Sequence, residues 1–121
     1  MSYDNNNIFA KILRGEIPCK KIYEDDYVLS FYDINPQKKI HALVIPKGEY
    51  TDLDDFSENA SSEEMVGLLK GINIVAKKLN ISVDTGKGYR ALANISEYGG
   101  QEVPHLHFHL FGGERVGKMV E

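Results

Sequence analysis

Residues 105–111 read His-Leu-His-Phe-His-Leu-Phe and hold three of the chain's four histidines, spaced two apart. On an extended strand, successive side chains take opposite faces. His105, His107 and His109 would then share one face, with roughly 6.6 Å between successive Cα atoms. Leu106, Phe108 and Leu110 would take the other face and enter the core. Three readings compete for such a row. Two histidines at i and i+2 can ligate one zinc ion, with His41 or Glu102 supplying a third ligand. Alternatively, imidazole titrates near pH ~6.5 and is nucleophilic when neutral, which suits covalent and acid–base catalysis. The remaining reading is an exposed polar face on an edge strand. Three histidines in strict alternation argue against it.

The preceding loop, Tyr98-Gly-Gly-Gln-Glu102, favours catalysis over zinc. Adjacent glycines let backbone N–H groups approach a ligand closely, and clustered N–H groups bind anions. Gln101 adds a neutral side-chain donor. Directly before a histidine row, this loop suggests phosphate beside imidazole. Alternation elsewhere supports a pocket. Phe31 and Asp33 share a face, as do His41 and Leu43. Apolar groups could flank a base while a carboxylate accepts from ribose hydroxyls. Equally, Phe31 and Leu43 could be plain core, and Asp33 a turn former before Ile-Asn-Pro.

These residues need a scaffold. Ile8, Phe9, Ile12 and Leu13 recur at helical spacing, with Gly15 as a stop and Pro18 barring continuation. Lys20–Tyr23 and Tyr27–Asp33 read as strands joined by a turn at Glu24-Asp-Asp26. Residues 41–45 form a third strand, closed by Pro46. Ser61 and Glu64 have capping-box spacing. After them, Met65, Leu68, Leu69, Ile72, Val75, Ala76 and Leu79 mark one face of a helix running to about Asn80. Gly67 and Gly71 weaken that helix by about 1 kcal/mol each relative to Ala. Either they let a neighbour pack closely, which would weakly hint at a dimer, or they reflect ordinary crowding. Tyr89–Asn94 and His105–Phe111 are the fourth and fifth strands, separated by a loop over Ser96–Gln101. The expected class is α+β: a five-stranded antiparallel sheet with one short N-terminal helix and one long helix.

The 121 residues form one expected domain, 1–121. A hydrophobic fraction of 42% against 26% charged suits a globular core rather than a disordered chain. A net charge of −4 argues against a nucleic-acid partner. No apolar run approaches the ~20 residues needed to cross a bilayer. The start, MSYDNNNIFA, lacks a signal peptide's basic and apolar regions. The single Cys19 cannot form an internal disulfide. Together these point to a cytoplasmic protein.

The row from His105 to Phe111 resembles the pattern of the histidine triad (HIT) family, and the whole chain is similar to its nucleotide-binding (Hint) branch. The resemblance extends to Ile8-Phe-Ala-Lys-Ile12, Gly15-Glu-Ile-Pro18, Phe31-Tyr-Asp-Ile-Asn-Pro-Gln37 and His41-Ala-Leu-Val-Ile-Pro-Lys47. Gly88-Tyr-Arg90, Asn94, Gly99-Gly-Gln101 and Gly112-Gly113 match as well. It implies a homodimer that hydrolyses nucleoside phosphoramidates, typically AMP linked to an amine, and aminoacyl adenylates. No cofactor is implied. By position, His107 would be the nucleophile, His109 would contact phosphate, His105 would orient the nucleophile and His41 would bond within the cluster. Asn94, Gly100 and Gln101 would help to hold the phosphate, and Asp33 the ribose. Ile8, Phe9, Ile12, Phe31, Ile34 and Leu43 would line a purine pocket. Many relatives carry Ser where this chain has Glu102. That carboxylate would favour a cationic amine, or else face solvent or bond to backbone. The alternatives to the enzyme are a non-catalytic purine nucleotide-binding protein and a zinc-binding histidine cluster.

Overall fold

The structure is a computed structural model and describes residues 2–120. In chain order it runs α1 (Ile8–Leu13), β1 (Lys21–Glu24), β2 (Val28–Tyr32), β3 (Ile40–Pro46), α2 (Leu53–Asn59), α3 (Ser62–Lys78), β4 (Arg90–Leu92), α4 (Ser96–Gly99) and β5 (Phe108–Gly112). The five strands form one antiparallel sheet in the order β1-β2-β3-β5-β4. The expected class and strand count therefore hold, and α2 and α4 are additions. Among the described residues, no helix is long and apolar enough to cross a membrane.

Local chemistry fixes the helix starts. The Asn7 side chain accepts from the Ala10 N–H at 2.9 Å and caps α1. Ser61 and Glu64 form the expected capping box at the head of α3. The unforeseen α2 is capped in the same way, since Asp52 accepts from the Asp55 N–H at 2.8 Å.

Strand alternation divides the core in two. Val28, Ala42, Val44 and Leu110 face α3, where they join Leu68, Ile72 and Val75. Leu29, Phe31, Leu43 and Ile45 point the other way and pack under Phe9 of α1. The two α3 glycines serve the first of these interfaces. A Cβ at Gly67 would lie 2.5 Å from the Tyr27 ring, and one at Gly71 would lie 2.8 Å from Val28. They let α3 settle onto β2 within the same chain, which removes their spacing as a hint of a second subunit.

The histidine row differs from expectation in one respect. Only its last member lies in the ladder, because β5 begins at Phe108. The β3–β5 register pairs Val44 with Phe108. Continued backwards, it would set Leu106 against Pro46, which has no N–H to give. Leu106 instead donates to the Tyr50 carbonyl at 2.8 Å, and His105 donates to Val103 at 2.8 Å. The alternation survives this departure. Leu106 and Leu110 are buried on the α3 side, and the histidines lie on the α1 side.

Candidate active site

Between α1 and the sheet lies a cavity of about 660 Å³. One end is apolar, with Ile8, Phe9, Ile12, Phe31 and Leu43 in its wall. Phe9 and Phe31 meet edge to face with centroids 5.6 Å apart. At the other end are His41, His107, His109, Asp33, Asn94, Gly100 and Glu102, and Ile34 sits on the exposed margin. Of the residues singled out from the sequence, only His105 and Gln101 are missing from this wall.

Those two stand behind it and hold it. His105 is fully buried, with Nε2 2.8 Å from the Pro46 carbonyl and Nδ1 bonded to the Tyr3 hydroxyl. Gln101 was expected to offer a donor to phosphate, but its amide N–H groups go to the Thr51 and Val103 carbonyls at 2.7 and 2.9 Å. Its oxygen accepts from Ser96 N–H at 2.9 Å. The side chain staples the loop from inside. The Gly-Gly pair is also part of a turn. Gly100 ends α4 at φ 76° and gives its N–H to Glu97, and Gln101 gives its own to Ser96. Those two N–H groups are therefore not available to an anion.

The partners assign each imidazole's tautomer. A carbonyl can only accept, so His107 Nδ1, 2.8 Å from the His105 oxygen, carries the proton. Neutral His107 therefore has a bare Nε2. The Gln37 backbone N–H donates to His41 Nδ1 at 3.1 Å, so the His41 proton sits on Nε2. That atom lies 2.8 Å from His109 Nδ1, which must accept, and neutral His109 carries its proton on Nε2. The cluster thus offers one lone pair, on His107, and one N–H donor, on His109. The two rings meet with centroids 5.1 Å apart.

Burial keeps these groups uncharged. It pushes His105 and His109 down to about 4, and His107 and His41 also go down. For His109, neighbouring His107 and His41 add to the effect. For His107, the His105 carbonyl, Asp33 and Glu102 oppose it. Asp33 forms the expected turn, with Oδ1 accepting from Asn35 N–H at 2.8 Å, and its Oδ2 lies 3.5 Å from His41 Nε2.

The zinc reading changes its ligands. His105 and His107 each have a nitrogen committed to a carbonyl, and Glu102 does not join them. Among the described residues, the group close enough to share a metal ion is Asp33, His41 and His109, with ligand atoms within 4.8 Å of one another. Its two histidines already share a proton, which a metal would have to displace.

The HIT domain pattern matches residues 14–116. An uncharacterized HIT-like protein of Azospirillum brasilense is 52% identical over 119 residues, covering 98% of this chain and 95% of that protein. An uncharacterized HIT-like protein of Helicobacter pylori is 47% identical, covering 90% of this chain and 98% of its own. The chain belongs to the HIT family. A HIT family hydrolase from Clostridium thermocellum superposes with a TM-score of 0.85 at 36% identity, covering 98% of this chain and 99% of that one.

Several wall residues of this HIT protein were not anticipated. Phe111 stacks on His109 with planes 2° apart, and simple i, i+2 alternation from His109 would have found it. Cys19, which had no role in the sequence reading, lines the apolar end, where burial raises its thiol pKa. Neither the Gln37 backbone N–H nor Tyr3 has a local signal. Their partners lie 4 and 102 residues away and are set by the fold.

Proposed function

We propose that this HIT protein is a purine nucleoside phosphoramidase. It would cleave the P–N bond of AMP–amine conjugates, and aminoacyl adenylates, through a nucleotidyl-His107 intermediate. The observation that carries the reading is the 2.8 Å bond from His107 Nδ1–H to the His105 carbonyl, which leaves Nε2 as a lone pair on the cavity. The likeness to a HIT family hydrolase adds support.

The purine lies in the apolar end, and Asp33 accepts from the ribose. His107 Nε2 attacks the α-phosphorus, a P–N bond forms to the imidazole, and the bond to the amine breaks. The amine needs a proton as it leaves. A bound phosphate raises the proton affinity of His109 beside it. The added proton enters at Nδ1, and His41 Nε2–H turns from that nitrogen to Asp33 Oδ2, 3.5 Å away. The resulting imidazolium donates from Nε2 to the amine nitrogen, and positioned acid catalysis of this kind typically contributes 10²–10⁴-fold. Water then attacks the phosphorus, returns a proton to the cluster and releases AMP and free His107. Two easier steps replace one difficult step.

The proposal includes a homodimer in the cytoplasm. β1 and β4 are the sheet's edge strands, and an open edge can pair with a second copy.

The decisive test is AMP release from an adenosine phosphoramidate by the native chain and by His107→Ala, each with and without a chelator. Chelator-resistant turnover that disappears in the variant is the expected result. Equal activity in the variant would overturn the mechanism. Tight AMP binding without native turnover would favour a binding protein, and turnover lost only on chelation would favour a metal at Asp33, His41 and His109.

A further inference from the structure

The carbonyl that orients His107 belongs to a residue whose own ring is held from the far end of the chain. His105 has no exposed surface. Its Nε2 proton goes to the Pro46 carbonyl at 2.8 Å, so Nδ1 is bare and needs a donor. The Tyr3 hydroxyl supplies it. The two rings also meet edge to face, with centroids 5.6 Å apart at 75°.

We propose that Tyr3 is a positioning residue for the nucleophile: its hydroxyl locks His105 in the Nε2–H tautomer and so fixes the carbonyl that receives His107 Nδ1–H. This rests on the reading of His107 as nucleophile. Tyr3 lies outside the matched HIT span of residues 14–116.

The segment carrying Tyr3 is braced for such a role. The Asp4 carbonyl accepts from both the Asn7 backbone at 3.3 Å and the Asn7 side chain at 2.7 Å. Asn7 in turn caps α1. Phe9, the second residue of α1, lies edge-on to His105 at 6.4 Å and to His107 at 5.0 Å. Tyr3, α1 and the two imidazoles are therefore one packed unit. Burial raises the Tyr3 pKa, which keeps the hydroxyl protonated as a donor. Without that hydroxyl, Nδ1 of His105 would be a buried acceptor with no partner. The ring would be free to turn over or exchange tautomers, and it would loosen its hold on the Pro46 carbonyl.

Tyr3→Phe in the full chain removes one oxygen and leaves the ring packing. The expected result is a kcat lower by roughly 10- to 100-fold on the phosphoramidate, the scale of a small misplacement, with KM nearly unchanged. Histidine ¹⁵N spectra supply a readout that lost stability alone would not move. In the native chain, His105 shows a protonated Nε2 and a bare Nδ1. In the variant, His105 averages between tautomers and the His107 Nδ1 signal broadens or shifts. Native kcat in the variant, or unchanged His105 and His107 signals whatever the kcat, would overturn the proposal. So would a native spectrum with the His105 proton on Nδ1, an observation that needs no variant. Absence of turnover in the native chain would sink the nucleophile reading alone, and the spectra would still decide the role of Tyr3.

Discussion

His41 Nε2 lies 2.8 Å from His109 Nδ1, and the direction of that bond is set by neither imidazole. It is set by the Gln37 backbone N–H, which occupies His41 Nδ1 and forces the His41 proton to the opposite nitrogen. The proton on His109 is thereby placed on Nε2. A single amide on the β2–β3 connection thus decides what the last histidine of the row can donate. The first histidine is governed in a parallel way by the Pro46 carbonyl. Fixed backbone groups at both ends of β3 set the protonation pattern of the cluster.

That relay predicts how His41 variants rank. His41→Leu deletes the donor to His109 Nδ1, so His109 can hold its proton on the wrong nitrogen. Turnover of an adenosine phosphoramidate should fall roughly 10²-fold, while AMP affinity changes little. His41→Gln keeps an amide N–H to give and an oxygen to receive from Gln37, and should retain more activity than Leu. Steady-state kinetics on both variants check the ranking. Native kcat in His41→Leu would show that the relay does nothing for the reaction.

Ligand binding should draw a proton from solution. Burial holds His109 near a pKa of about 4, so its imidazole is neutral at pH 7 in the free chain. An anion placed against it reverses the balance and favours imidazolium. A non-hydrolysable adenosine 5′-phosphodiester has no proton of its own to lose near neutrality. Titration calorimetry in two buffers of different ionisation enthalpy should then show net proton uptake near pH 7 that shrinks as the pH rises. Heats independent of buffer would rule out His109 as the acid.

The faces of the histidine row were legible because alternation is a local property. Leu106 and Leu110 went to the α3 side and His107 and His109 to the cavity, as the period of two requires. The start of β5 was not legible, because it depends on Pro46 and on the Tyr50 carbonyl, both distant in sequence. Gln101 was read as a ligand donor, since nothing local shows that Thr51 and Val103 carbonyls would claim its N–H groups. Gly67 was ambiguous for a related reason: the ring that fills its missing Cβ is Tyr27, 40 residues earlier in the β1–β2 connection. By contrast α2 has a local signal, Asp52 followed by Asp55 with Leu53 and Phe56 one turn apart.

Acid should weaken the fold before it would weaken an ordinary domain of this size. His105 and His109 bind protons in the folded chain only near pH 4, against about 6.5 when unfolded. Between those values the unfolded state holds more protons, so stability rises with pH. The contribution is full above about 6.5 and is lost as pH falls towards 4. Urea midpoints at pH 7.5, 6 and 5 should drop steadily. His109→Gln should flatten the dependence, because it removes one of the two strongly depressed groups. A midpoint unchanged from pH 7.5 to 5 would contradict the burial of neutral imidazoles.

Gly67→Ala separates helix propensity from packing on α3. Propensity alone favours Ala by about 1 kcal/mol. The new methyl, however, would sit 2.5 to 2.7 Å from Cγ, Cβ and Cδ2 of Tyr27. Contacts at Cβ and Cγ are at the root of the side chain, so a rotation further out cannot relieve them. Either Tyr27 leaves its rotamer or α3 lifts from β2, and overpacking of this kind costs about 1–3 kcal/mol. Thermal unfolding should show net destabilisation. Tyr27→Ala in the same chain should turn the Gly67→Ala step from harmful to neutral or favourable, because the obstacle is gone. The cavity side of the sheet is untouched by either change, so turnover per folded molecule should stay native. A Gly67→Ala chain more stable than the parent would mean that α3 and β2 are not in the close contact that seats the sheet beneath the histidines.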